Sequence, residues 1–442
     1  MFSIAANIDP SATGPCPACR RGIRIPARLA ARVLGGVLLA TGAPATTAAS
    51  PLAELLDGAR PEASEFHSTS DFQLQQNTIL LNASSGDGSP PRLFIVDSGA
   101  PMTIAAALAR ELRLATSASV ALAGPAGGHS VVPVTRLPQL RIAGLNFADV
   151  GAVVAWVEPP DELACLSRAG LLGASLLQAA IWQIDFHSRR ITMTSALDTL
   201  PGLGQATRIP FIRADAAGSP RIAVGVSELQ QASLLIDLGF NGSLAIPTAL
   251  LEQAGDRVSA TAPVETGQAA ATVLGNRRSE VRIARVGELR LGDLRLPDFP
   301  VMTGPGVSDF HLGIEFLRHF RVTIDWQHDD LYLEPQAPQA DLYFDYASYG
   351  FAPKLGNHGL EVGAIWSGGA AERAGLALGD RLVAIDGRDT SDPGFAEFCG
   401  LLDAVGLFGW QDAPIAVTRL RAGERETFRL TRSPPGPAGV AD

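Results

Sequence analysis

The sequence is poor in cysteine, in charged residues and in long hydrophobic runs. It has 4 cysteines in 442 residues, charged residues make up 18%, and the formal net charge is −10. Because the charge is net negative, we expect no basic face and no nucleic-acid partner. With 46% hydrophobic residues, 46 glycines and 31 prolines, the composition predicts a folded, turn-rich and mainly β protein. The length predicts two or three domains.

Two motifs that would indicate other chemistries are missing. The sequence has no H-E-x-x-H, and its C-x-x-C at Cys16 and Cys19 has no partner pair, so we expect no metal site. It also has no G-x-S-x-G and no apparent Ser–His–Asp order, which argues against a serine protease. No cofactor is expected.

Residues 1–50 have the layout of a targeting segment. A short apolar run, "VLGGVLLATGAPATTAAS", follows a cluster of arginines: Arg20, Arg21, Arg24, Arg28 and Arg32. This layout predicts a secretory signal peptide cleaved near Ala49 or Ser50, and the run is short for a transmembrane helix. We therefore expect export to a periplasmic or extracellular location, with membrane tethering if the signal is not cleaved. The alternative is a disordered basic tail on a cytosolic protein.

Only two cysteines would stay in the exported chain, Cys165 and Cys399. They fall in different predicted domains. We therefore expect two buried free thiols rather than one disulfide.

An internal repeat is the strongest pattern in the sequence. The apolar run "LFIVDSGA" ends on Asp97, and the run "LLIDLGFNG" ends on Asp237, 140 residues later (237 − 97). Three pairs share this offset: Asp97 and Asp237, Gly173 and Gly313, Asp185 and Asp325. A common offset at three anchors predicts an internal duplication, with one lobe at 70–200 and a second at 205–335.

The two D-x-G turns predict a pair of carboxylates. Two similar lobes around a pseudo-twofold axis would bring Asp97 and Asp237 face to face. Carboxylates at hydrogen-bond distance share a proton, so one can activate a water while the other polarises a carbonyl group. Gly99 and Gly239 would let each turn pass tightly beneath its carboxylate and donate an amide to it.

These motifs resemble the pepsin and retropepsin superfamily of aspartic proteases, specifically the bacterial retropepsin-like proteins. "VDSGAP" and "IDLGFNG" are similar to the two aspartate signatures, and "LLGASLL" and "LGIEFL" to the hydrophobic-Gly helix beneath each turn. The resemblance implies a two-lobed β-barrel fold and an aspartic endopeptidase acting on peptides or proteins. Asp97 and Asp237 would be catalytic, and Ser98, Gly99 and Gly239 would support them. Both lobes lie in one chain, so no oligomer is required.

Leu238 departs from the family pattern. The family has Thr or Ser there, and its hydroxyl reaches across the interface to lock the two carboxylates in one plane. Ser98 can supply this lock from its own side only. The alternative function is therefore a catalytically impaired protease fold that binds peptides as an adaptor.

Two further positions near the dyad lack a hydroxyl, Ala100 and Phe240. Fewer hydrogen bonds to the charged form make a carboxyl group less acidic. We therefore expect activity nearer neutral pH than that of pepsin.

Two stretches could form flaps over a substrate, 123–134 and 267–281. Both follow a predicted helix and are rich in glycine or small residues. This composition is typical of a mobile lid and equally of an ordinary hairpin loop, so both interpretations stay open. The remaining candidates are assigned no chemistry and are interpreted as structural or surface residues: Asp185, Asp325, His311, His319 and His328.

The C-terminal part resembles a bacterial PDZ domain. The segment "SGGAAERAGLALGDRLVAIDG" is similar to the core of that family, and "PGFAEFCGLLDAV" would be its groove helix. The resemblance implies a small α+β barrel at 344–432 that binds peptide ends, with Gly350 and Phe351 in the carboxylate-binding loop. A flexible tail at 433–442 would follow.

Overall fold

The computed structural model describes residues 51–86, 88–123, 129–155, 158–159, 161–260, 262–272, 275–409 and 411–436. The proposed signal segment, with Cys16 and Cys19, and the end of the tail lie outside these residues. The described part contains 28 strands and 8 α-helices, most of them short, so the chain is mainly β as expected. None of the helices in these ranges is both long and apolar enough to cross a membrane.

The first lobe begins upstream of the predicted boundary, because a helix and a short strand near residue 51 pack on it. Its elements are α1 (Pro51–Leu56), β1 (Arg60–Pro61), β2 (His67–Asp71), β3 (Gln73–Gln75), β4 (Thr78–Ser84), β5 (Arg92–Asp97), β6 (Thr103–Ile104), α2 (Ala106–Glu111), β7 (Thr116–Ala123), β8 (His129–Ile142), β9 (Leu145–Val154), α3 (Leu163–Leu166), β10 (Gly170–Gly173), α4 (Ala174–Leu177), β11 (Ile181–Asp185) and β12 (Arg190–Thr194).

The second lobe repeats much of this order. Its elements are β13 (Thr207–Arg213), β14 (Pro220–Val226), β15 (Leu229–Ile236), β16 (Leu244–Ala245), α5 (Thr248–Gln253), β17 (Val264–Thr272), β18 (Gly275–Leu291), β19 (Leu294–Thr303), β20 (His311–Leu312), α6 (Ile314–Leu317), β21 (Phe320–Asp325) and β22 (Asp330–Pro335). Short 3₁₀ helices lie in the connections between units: Leu197–Thr199, Leu203–Gln205 and Gln339–Leu342.

A smaller C-terminal unit has its own hydrophobic core. Its elements are β23 (Phe351–Gly356), β24 (Gly359–Trp366), α7 (Ala370–Arg373), β25 (Arg381–Ile385), β26 (Arg388–Asp389), α8 (Phe395–Val405), β27 (Ile415–Arg421) and β28 (Glu424–Leu430). The helix predicted from "PGFAEFCGLLDAV" is α8, and β27 pairs antiparallel with β28 at the end of the unit.

Strand register confirms the internal repeat. In the first lobe β10 pairs in parallel with β5, and Leu171 lies opposite Ile95. In the second lobe β20 pairs in parallel with β15, and His311 lies opposite Leu235. Both members of the second pair are 140 residues beyond those of the first, so the two lobes share one pairing scheme at the aspartate strands.

A six-stranded antiparallel sheet joins the lobes, in the order β2-β12-β11-β21-β22-β13. At its centre Gln183 lies opposite Thr323, and the Gln183 side-chain amide donates to the Thr323 hydroxyl at 2.9 Å. These residues are 140 apart, so they occupy equivalent positions in the repeat. Equivalent residues meet each other only near a symmetry axis, which places a pseudo-twofold axis between the lobes.

A disulfide joins Cys165 in the first lobe to Cys399 in α8. The prediction of two free thiols is therefore wrong. The prediction assumed that cysteines in separate domains lie far from each other. In the structure α3 packs against α8, and near this contact the Arg168 guanidinium lies 5.4 Å from the centre of the Phe395 ring. This docking brings the two cysteines together.

The C-terminal unit also contacts both lobes through hydrogen bonds. The Gln75 and Gln76 side chains of the first lobe donate to the Asp403 carboxylate of α8, at 2.7 and 2.9 Å. In the second lobe β17 pairs antiparallel with β24, with Thr266 opposite Ile365. The unit is thus attached along one face of α8 and along one edge of β24.

Candidate active site

Two strands deliver the aspartates to the lobe interface. Strands β5 and β15 become fully buried toward their ends, and both carboxylates are inaccessible to solvent. The amide of Gly99 donates to Oδ1 of Asp97 at 2.8 Å, and that of Gly239 donates to Oδ1 of Asp237 at 2.9 Å. Each turn therefore holds one oxygen of its own carboxylate.

Helices α4 and α6 pack beneath the first and second aspartate turns and hydrogen-bond to them. In the first lobe the Ala174 amide at the start of α4 donates to the Ala100 carbonyl at 2.7 Å. In the second lobe the Ile314 amide at the start of α6 donates to the Phe240 carbonyl at 2.8 Å. This is the arrangement that the hydrophobic-Gly motifs predicted.

The two glycines bring the turns into contact with the opposite carboxylates. A Cβ atom on Gly99 would lie 2.7 Å from Oδ1 of Asp237, and one on Gly239 would lie 2.5 Å from Oδ1 of Asp97. Neither glycine has a positive φ, so a left-handed backbone is not the reason for glycine here. Glycine is required because a side chain would collide with the carboxylate of the opposite lobe. The predicted carboxylate pair is therefore present, with each aspartate against the other lobe's turn.

Ser98 ties the two turns together from one side. Its hydroxyl donates to the Ile236 carbonyl at 2.6 Å and accepts from the Leu238 amide at 3.0 Å. Leu238 is 1% exposed and packs in the main hydrophobic core. The lock between the lobes is one-sided, as the sequence predicted.

His311 contacts the dyad, so its interpretation as a structural or surface residue is wrong. Its Nδ1 lies 2.8 Å from Oδ2 of Asp237, and the residue is 4% exposed. The internal repeat could have indicated that His311 is unusual, because the equivalent strand position in the first lobe is the apolar Leu171. A histidine at a buried strand position beside the aspartate turn is a departure from the apolar pattern.

The pKa of Asp97 is raised well above its usual value. Burial is the largest cause and the charge of Asp237 the next, and they outweigh the amides of Gly99 and Ala100, which lower it. Among the described residues no hydrogen-bond partner reaches Oδ2 of Asp97. The Asp97 carboxyl is therefore less acidic than usual, and the cause is its burial beside Asp237 rather than the hydroxyls missing at Ala100 and Phe240.

Both predicted flap stretches form hairpins. Strands β7 and β8 pair with Ala123 opposite His129, and β17 and β18 pair with Thr272 opposite Gly275. The loop tips at 124–128 and 273–274 lie outside the described residues. The second hairpin is also bonded to β24, so its base is fixed to the C-terminal unit. Whether either hairpin closes over a substrate stays a prediction.

The other predicted residues lie away from the dyad. Gly350 and Phe351 belong to the C-terminal unit, which reaches the second aspartate turn through a cluster that contains Phe240, Tyr346 and Trp366. Asp185 bonds to Arg321, and Asp325 bonds to His328, both as parts of the interlobe sheet. In the described ranges no group of three His, Cys, Asp or Glu side chains could hold a metal ion.

A buried carboxyl group, Glu315, lies behind the second aspartate turn. The Asn77 side-chain amide donates to Glu315 at 2.9 Å and to the Asn241 carbonyl at 2.6 Å, which joins the two lobes. Burial raises the pKa of Glu315 to about 7, and the charge of Arg318, at 3.3 Å, opposes this rise. The carboxyl group therefore titrates near neutral pH.

We expect the Glu315→Gln substitution to remove a pH-dependent loss of stability. The folded state binds the Glu315 proton more tightly than the unfolded state, whose pKa is near 4.5, so the free energy of unfolding falls as the pH rises from 4.5 to about 7. The loss is about 3 kcal/mol for this difference in pKa. Urea unfolding from pH 4 to pH 8 should show a fall in the free energy of unfolding that is about 3 kcal/mol smaller in the variant than in the parent, because other groups with raised pKa values, such as Asp97, are present in both. The exposed Glu252→Gln control should follow the parent, and a Glu315→Gln variant that also does so would contradict the prediction.

Comparison with known proteins adds a family match at the first aspartate turn. The family model described as aspartyl protease matches residues 83–176, which include this turn and the helix beneath it. This part of the first lobe is therefore similar to aspartyl proteases. No curated protein sequence matches this chain. Among solved structures, the aspartic proteinase from Irpex lacteus is similar at 12% identity with a TM-score of 0.41, over 63% of this chain and 100% of that chain.

Proposed function

We propose that this chain is an aspartic endopeptidase that hydrolyses peptide bonds with a water activated by Asp97 and Asp237. The observation that carries the proposal is the pair of buried carboxylates, each lying against the glycine of the opposite turn. Two carboxylates in this position share one proton, and the aspartic proteases themselves are the best-known example of such sharing.

The raised pKa of Asp97 supports a division of roles. Ionised Asp237 takes a proton from the water, whose oxygen attacks the peptide carbonyl carbon, while protonated Asp97 donates its proton to the carbonyl oxygen. The tetrahedral intermediate then breaks at the C–N bond. Asp237 delivers its proton to the leaving nitrogen, and Asp97 recovers its proton as the carbonyl re-forms.

The second candidate function is that of a peptide-binding adaptor with little catalytic activity. Leu238 favours it, because this residue leaves the interlobe lock one-sided. A small error in carboxylate position lowers the rate of catalysis steeply without abolishing peptide binding.

The C-terminal unit is proposed to be a PDZ domain that binds peptide or protein ends. The order of its strands and helices supports this assignment. Helix α8 also lies beside β23, and these two elements would form the peptide-binding groove. Gly350 has φ +84°, and a Cβ atom there would lie 2.8 Å from the Ala370 amide nitrogen. This tight turn ahead of Phe351 is the position proposed to receive a terminal carboxylate.

An exported, periplasmic or extracellular location in a bacterium is also proposed. The Cys165–Cys399 disulfide supports it, because such bonds persist in oxidising compartments.

The proposal is tested by incubating the chain from residue 51 onward with a diverse peptide library and reading cleavage by mass spectrometry from pH 3 to pH 8. The Asp97→Asn/Asp237→Asn double variant serves as the blank. We expect cleavage by the parent with an optimum above that of pepsin. A folded parent that binds library peptides without cutting them would favour the adaptor, and a gain of cleavage in Leu238→Thr would then locate the defect.

A further inference from the structure

The two lobes surround their aspartates with different groups. Where the first lobe has Ser98 on its turn, the repeat places Leu238 in the second lobe. Where the first lobe has Leu171 on the neighbouring strand, the repeat places His311 in the second lobe. The second lobe therefore lacks the hydroxyl on its turn and has an imidazole on the strand beside it.

This imidazole is built into the site. The parallel pairing of β20 with β15 sets His311 opposite Leu235, two residues before the aspartate, and aims Nδ1 at Oδ2 of Asp237. The ring is 4% exposed and lies 6.0 Å from the ring of Phe240, measured between centres. Because Gly239 donates to Oδ1, both oxygens of Asp237 are held. In the described structure Oδ2 of Asp97 has no such partner.

We infer that His311 is a positioning residue that orients the Asp237 carboxylate through the hydrogen bond between its Nδ1 and Oδ2 of Asp237. The inference rests on the proposed function, since the dyad is what it positions. An ionised carboxylate only accepts hydrogen bonds, so Nδ1 of His311 carries the proton and donates it. This donation fixes the plane of the Asp237 carboxylate.

The other charged groups near β20 are directed elsewhere. Asp309, just before the strand, pairs with Arg221 of β14. Glu315, just after it, bonds to Asn77 and to Arg318. Both acidic groups that flank β20 therefore have partners other than His311.

Three substitutions separate positioning from packing. His311→Leu reproduces the residue of the first lobe and should lower kcat about 10²-fold with KM within about threefold of the parent, because a displaced carboxylate costs rate rather than binding. His311→Asn places a donor where Nδ1 lies and should stay within about tenfold of the parent. His311→Gln places its donor farther out and should resemble the leucine variant. The exposed His187→Leu control should match the parent.

Each of three results would overturn the inference. They are an effect of His311→Leu on KM alone, a His311→Leu variant as active as the parent, and a His311→Asn variant no more active than His311→Leu. Proton NMR of the ¹⁵N-histidine-labelled chain gives a readout that does not need cleavage. We expect a low-field Nδ1–H signal from His311 that disappears in His311→Leu and moves in Asp237→Asn. A parent that cleaves peptides without this signal refutes the role of His311 and leaves the proposed function standing. A parent that shows the signal without cleaving refutes the proposed function instead.

Discussion

Asparagine in place of either Asp97 or Asp237 is expected to lower kcat/KM by about 10⁴-fold without unfolding the protein. In Asp97→Asn the side-chain amide cannot donate a carboxyl proton to the substrate oxygen, and in Asp237→Asn it cannot accept a proton from the water. Members of a catalytic unit fail together, so the double variant should be about as impaired as either single variant. The measurement is kcat/KM on one peptide identified from the library.

Thermal unfolding distinguishes lost chemistry from a lost fold in these variants. The ionised form of Asp97 is disfavoured by burial and by the charge of Asp237, so a neutral amide there should leave the melting temperature unchanged or higher. The exposed Asp293→Asn variant is the matched control and should retain full activity. Residual activity above about a tenth of the parent in either dyad variant would contradict the assignment of that carboxylate.

Removal of the Cys165–Cys399 disulfide is expected to give the largest change in stability. The bond closes a loop between residues 234 positions apart, and a loop of this length restricts the unfolded chain by about 5 kcal/mol in the chain-entropy description. Because the C-terminal unit also bonds to both lobes through Asp403 and β24, we expect a measured loss of about 2–5 kcal/mol. Urea unfolding of the Cys165→Ser/Cys399→Ser variant against the oxidised parent measures it.

The single variants Cys165→Ser and Cys399→Ser provide the internal control. Each breaks the same bond, so each should match the double variant, and the reduced parent should match all three. Limited proteolysis of the segment between β22 and β23 should also become faster in the variants, because α8 is then held by weaker contacts. An oxidised parent that unfolds at the same urea concentration as the double variant would contradict the predicted stabilisation by the disulfide.

Much of the fold was predictable because its signals are local and repeated. An apolar run that ends on Asp97 and recurs at Asp237 identifies two lobes, and the common offset of 140 residues identifies their symmetry. The short helices beneath the turns and the helix α8 follow from the resemblances to aspartic proteases and to the PDZ domain, whose motifs are also local. The one-sided lock follows from Leu238 together with the resemblance, which implies a Thr or Ser at that position.

Three features were decided by tertiary structure, namely the His311 contact with Asp237, the disulfide, and the pairing of β17 with β24. In each of them the partners are distant in the chain, and neither partner's local pattern specifies which surface it will meet. The sequence indicates only a structural or surface role for His311, because its spacing to His319 and His328 follows no metal-ligand pattern. Only the packing of β20 beneath the turn directed its ring toward the dyad.

The sequence by itself determined the two lobes, the carboxylate pair and the elements of the C-terminal unit, since turn residues, hydrophobic period and internal repeat act over short stretches of chain. The tertiary structure decided which group orients Asp237 and how the C-terminal unit is held against both lobes. The physical reason is that docking depends on the complementarity of whole surfaces, and such surfaces exist only after the strands and helices have assembled.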